Sequence, residues 1–120
     1  MKPLLAKHLA AFMQRFNNFK DGEFRSLEVI SPTTMKVVLA GQDETRAFDW
    51  ISLELEFNGV SDARLLDSAK LHLVDMSEGI NLIYDRNFAF AVGEYNNLSN
   101  IKDSACYIVC RDLKYKESRF

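Results

Sequence analysis

The clearest pattern in the chain is the run from Phe48 to Phe57, FDWISLELEF. Asp49, Ile51, Leu53, Leu55 and Phe57 fall on one side, and Phe48, Trp50, Ser52, Glu54 and Glu56 on the other. Alternation of period two predicts a strand with one buried face. The opposite face joins the only Trp of the chain to two carboxylates. Before it, Phe24–Ile30 and Thr34–Ala40 read as strands separated by a Ser31-Pro32-Thr33 turn, since proline presets the backbone and lacks a ladder donor. Gly41–Thr45 reads as a polar loop.

The N-terminal stretch changes period. Leu5, Leu9, Phe12, Met13 and Phe16 recur at helical spacing, which predicts one long amphipathic helix over 3–18 with Pro3 in its first turn. Asn17, Asn18 and Asp21-Gly22 stop it. A short helix is expected over Ser61–Ala69, after the third strand, with Ser61 as its cap and Leu65 and Leu66 docking it. Leu71–Met76, Ile80–Tyr84 and Phe88–Val92 read as a meander. The last of these carries small residues, Ala89 and Ala91, on one face, where the N-terminal helix is expected to lie over or beside it. Glu94–Asp103 reads as a loop, Ser104–Leu113 as a final strand apolar on both faces, and Lys114–Phe120 as a fraying tail. Connections this short exclude most parallel crossovers. The expected fold over residues 1–120 is one α+β domain: a mainly antiparallel, twisted sheet of about seven strands, one long N-terminal helix and one short helix.

Composition adds limits. The 120 residues are 48% hydrophobic and 27% charged, an ordinary globular balance that can bury a core without staples. No apolar stretch is long enough for a membrane helix, and Leu4–Met13, interrupted by Lys7 and His8, does not read as a signal peptide. A cytoplasmic protein is the expectation. The net charge of −2 is unevenly spread: residues 1–20 hold Lys2, Lys7, Arg15 and Lys20 with no acid, whereas residues 42–78 hold nine acids and three bases. Either these segments attract each other within the fold, or the acidic middle meets a basic partner. The acidic balance and the lack of an aromatic-basic RNA-binding motif argue against nucleic acid.

Candidate chemistry is sparse. The five glycines are isolated, so no phosphate loop can be written. Cys106 and Cys110 share one strand face but lie roughly 13 Å apart at about 3.3 Å per residue, too far for a disulfide. They read as buried thiols, and no cofactor or metal set is expected. His72 alternates with Leu71 and Leu73 and reads as a half-buried strand histidine; His8 reads as a boundary residue of the helix. Glu54 and Glu56, two apart on one face, have the spacing of a general acid/base pair, as does any alternating acidic strand.

The order of a helix, then FKDGEFRSLEV, an acidic loop and a strand ending in FNGVSDARLL resembles small bacterial immunity-type families of polymorphic toxin systems. The residues that carry the resemblance are Phe19, Asp21, Phe57, Gly59 and Val60; it departs at Gly22-Glu23, where those families more often have a His-Asp-Ala-like sequence. The resemblance implies a non-enzymatic protein that binds and neutralises one partner. Independently, aromatic residues concentrate at interface centres. Phe48, Trp50, Glu54 and Glu56 are therefore the expected partner-binding residues, suited to a protein with a basic surface or to self-association. The alternatives are a homodimeric structural protein or a small enzyme using His72 or a carboxylate pair. Trp50 has two possible coverings: the chain's own basic helix, or another molecule.

Overall fold

The computed structural model describes residues 1–95 and 97–120. Among the described residues, nine strands form two antiparallel sheets rather than one sheet of about seven strands. The first sheet contains β1 (Lys2–Pro3), β2 (Glu23–Ser31), β3 (Thr34–Asp43), β4 (Asp49–Asn58) and β9 (Asp112–Arg119), in the order β1-β9-β4-β3-β2. The second contains β5 (Asp62–Arg64), β6 (Ile80–Asp85), β7 (Asn87–Val92) and β8 (Tyr107–Cys110), in the order β5-β8-β7-β6. The fold class, α+β with antiparallel pairing, is as the sequence predicts.

The inner face of the first sheet is built by the expected alternation. Met35, Val37 and Leu39 of β3 stand beside Phe57, Leu55 and Leu53 of β4, and all are buried. Across the core, Ile80 and Leu82 of β6, Phe88 and Phe90 of β7 and Ile108 of β8 supply the second wall. Phe57 and Phe90 join the walls, with ring centroids 5.3 Å apart.

The N-terminal helix is shorter than expected. A 3-10 turn at Ala6–His8 runs into α1 (Leu9–Arg15), and the stripe Leu9, Phe12, Met13 and Phe16 is buried in the same core. Pro3 belongs to β1, not to the helix. The helix ends because Asn17, Asn18 and Phe19 take left-handed backbone angles, φ 51°, 56° and 56°. Asparagine tolerates that region; phenylalanine does so at a cost. Burial offsets the cost: Phe19 stacks on Phe16 at 4.7 Å, and its ring occupies the space a side chain at Gly41 would need.

Several other expectations are corrected. Residues 62–64 are strand β5, paired with β8, and Leu65 and Leu66 dock on the core in non-helical backbone. The segment 71–76 is not a strand: a 3-10 helix over Ser68–Leu73 takes its first half, and the helix covers the start of β2. His72 is consequently exposed rather than half-buried. The small face of β7 is covered not by α1 but by α2 (Leu98–Ile101), whose Ile101 packs with Ala89, Ala91, Tyr107 and Val109. The expected strand 104–113 breaks at Arg111, where the chain passes from the second sheet into the first. The expected fraying tail is β9, held between β1 and β4. Its strand character is faint in the sequence because Lys114, Lys116 and Ser118 face outward and only Leu113 and Tyr115 mark the inward side.

Candidate functional site

The outer face of the first sheet is where the expected site lies. Strand register fixes which residues share it, because directly paired residues point the same way. Across one row run Glu28, Lys36, Glu56 and Lys114; across the next run Ser26, Val38, Glu54 and Lys116. Signs alternate from strand to strand. Lys36 Nζ lies 3.9 Å from Glu54 and 3.7 Å from Glu28, and Glu56 accepts a hydrogen bond from Asn58 Nδ2 at 3.1 Å. The face that reads as acidic along β4 alone is thus a chequered, balanced one when its neighbouring strands are included. Glu54 and Glu56 already have cross-strand or local polar partners, which removes the main reason to see them as an acid/base pair.

Trp50 sits at one end of this face, beside Gln42. It is 40% exposed, so α1 does not bury it; the helix packs on the opposite, inner side of the sheet. Phe120 stands against the indole at 5.6 Å, and the Arg25 guanidinium lies 4.9 Å over the Phe120 ring. Phe48, 61% exposed, projects from the loop before β4 with left-handed backbone (φ 64°). Phe48 and Trp50 also border a notch of about 140 Å³ shared with Gln14, Asn17 and Lys20 at the end of α1. The structure therefore brings the four expected residues onto one open surface. It adds Phe120 and Arg25, which sequence reasoning misses because β9 is not evident there and β2 carries a bulge at Arg25.

A second polar cluster lies on the inner side, where α1 meets the sheet. Asp43 is fully buried. Its carboxylate accepts hydrogen bonds from Arg15 Nε (2.8 Å) and Nη2 (2.6 Å), and from Thr45 N (2.9 Å) and Oγ1 (2.7 Å). Arg46 Nε is 3.2 Å away. Glu117 bridges both arginines, at 2.5 Å from Arg15 and 2.9 Å from Arg46. Hydrogen bonds from Arg15, opposed by burial, hold the Asp43 carboxyl well below the usual carboxylate range, and Asp43 in turn raises Arg15. Two cations and two anions close on one another, so the cluster clamps α1, β3 and β9 together. The basic N-terminus and the acidic middle do attract each other, through Arg15 and Asp43.

The remaining candidates are dispersed. His8 is exposed. His72 borders an open cleft of about 620 Å³ with Asp21, Glu23, Arg25 and Asp75. Cys106 and Cys110 are free and buried, and burial pushes their thiols up to about 11 and about 12. Among the described residues, no group of three or more His, Cys, Asp or Glu is placed to hold a metal, and no helix is long and apolar enough to cross a membrane. Comparison with known proteins gives no match: no protein family, curated protein or solved structure is similar to the chain.

Proposed function

We propose that the chain is a non-enzymatic protein-binding module of the immunity type, which engages its partner through the outer face of the five-stranded sheet around Phe48, Trp50, Glu54 and Glu56. The observation that carries this reading is the single tryptophan left 40% exposed beside Phe120 and Arg25, on a sheet face that no element among the described residues covers. Trp and Arg are the side chains most enriched where binding energy concentrates. The chequered charge of the face favours a partner with matching alternation over a uniformly basic one.

Trp50 is also the only indole, so its fluorescence reports the site directly. The free protein should show the red-shifted emission of a solvated tryptophan, moving to the blue when the partner binds. Trp50→Ala should weaken capture of the partner by about 30-fold or more, the effect of a hot-spot residue, while the far-ultraviolet circular dichroism spectrum and melting temperature stay near wild type. An unfolded Trp50→Ala protein, or one that captures the partner at full strength, contradicts the proposal.

A further inference from the structure

Resting on that reading of the face, we infer that the partner it fits is a second copy of the same chain. The argument is one of symmetry. In a two-fold dimer the same patch meets itself, so the patch must be complementary to its own image. The outer face has this property. Its strands lie in the order β9-β4-β3-β2, and the charges that the register places on its outer side are, in that order, Asp112, Lys114 and Lys116, then Glu54 and Glu56, then Lys36, then Glu23 and Glu28, with Arg25 at the bulge of β2; their net signs alternate. The stripes read positive, negative, positive, negative. Turning a copy over about an axis that runs along the strands, between β3 and β4, lays each stripe on one of opposite sign. Lys36 then faces Glu56 of the second copy, and Glu28 faces its Lys114. At the aromatic end, Trp50 faces the second copy's Gln42.

A face with one sign of charge would repel its own image, and one with a symmetric stripe pattern would set like on like. In this pattern the net sign alternates from strand to strand: in the row Glu28, Lys36, Glu56 and Lys114 every charge meets an opposite one, and in the next row Glu54 and Lys116 meet the second copy's Val38 and Ser26. Its extent is also sufficient. β3 and β4 are ten residues each. With β2 of nine residues and β9 of eight, the four strands, at about 3.3 Å per residue and about 4.8 Å between strands, cover roughly 600 Å² per copy. Two such faces bury about 1,200 Å², the lower bound of a specific interface, and sheets so stacked keep their strands within about 30° of alignment.

The test is complementation in trans, followed by sedimentation equilibrium. The wild type should be dimeric with a dissociation constant in the micromolar range. Lys36→Glu and Glu56→Lys should each raise that constant at least tenfold, because each sets like charges against each other twice per dimer. Mixed one to one, the two variants should recover wild-type association, since the new carboxylate at position 36 of one copy meets the new ammonium at position 56 of the other. A merely misfolded variant is not rescued by mixing. A wild type that is monomeric at about 100 µM, yet binds a different protein through Trp50, overturns the second copy as partner and leaves the protein-binding reading standing. A dimer indifferent to both charge reversals and to Trp50→Ala overturns the inference and also removes this face as the site.

Discussion

Replacing Asp43 by Asn keeps the shape of the side chain and removes its charge, which makes it the sharpest probe of the inner clamp. In the native protein the carboxylate accepts four hydrogen bonds, two from Arg15 and two from Thr45. An amide retains one accepting oxygen and turns its NH₂ group toward a guanidinium. At least one bond to Arg15 is lost, and hydrogen bonds to charged groups contribute about 1.5–3 kcal/mol each. Breaking one side of a buried pair costs about 3–5 kcal/mol. Arg15 keeps Glu117 and some solvent, which places the effect near the lower end, about 3 kcal/mol. For a domain of this size that corresponds to a fall in melting temperature of about 10–15 °C. Urea denaturation at pH 7 measures it directly.

The pH dependence supplies a second check. The folded-state pKa of Asp43 is lowered, so the unfolded chain, with an ordinary value of about 3.9, takes up the proton first as pH falls. The stabilisation is therefore complete above that value and is lost progressively below it. The gap between wild type and Asp43→Asn should be constant from about pH 5 to 8 and shrink below about pH 4. A difference under about 1 kcal/mol at neutral pH, or one that widens in acid, refutes the clamp.

Two further predictions concern backbone and core. Gly79 has φ 71°, and a Cβ there would stand 2.0 Å from the Asn18 carbonyl oxygen, so Gly79→Ala should cost more than about 3 kcal/mol in a urea titration; a loss under about 1 kcal/mol contradicts the packing described. Cys106 and Cys110, with thiols raised to about 11 and about 12, should resist a thiol reagent at pH 8 until denaturant is added; rapid labelling of the native protein contradicts their burial.

What the sequence reveals depends on whether neighbours or hydrophobicity define an element. β3, β4 and β6 are legible because each alternates against one core, and β7 because Phe88 and Phe90 alternate with the small Ala89 and Ala91. α1 is legible in its stripe and in the asparagines that end it, but not at its start, where Pro3 joins β1 and the Leu4 amide bonds to Leu113 at the far end of the chain. The segment 61–76 misleads because Leu65, Leu66 and Leu71 can dock in non-helical backbone or a 3-10 turn as well as on a helix or strand. β9 is hidden for a physical reason: its inward Glu117 is compensated by Arg15 and Arg46, which lie 102 and 71 residues away. The same remoteness hides the chequered face. Each strand shows only its own sign, and the alternation exists only after four strands are set side by side.

The position of β9 also orders events during synthesis. β2, β3 and β4 are consecutive and can pair as soon as they are made, whereas β1 pairs with β9. Leu4 likewise waits for the carbonyl of Leu113. At about 5–20 residues per second, the 61 residues that follow Asn58, through Arg119, take roughly 3–12 s to appear. For that interval the flank of β4 that β9 will occupy stands open, and the first strand of the chain stays unpaired. A nascent chain of this protein spends those seconds with an unsatisfied sheet edge, the interval in which a chaperone, or a neighbouring nascent copy, has most to hold.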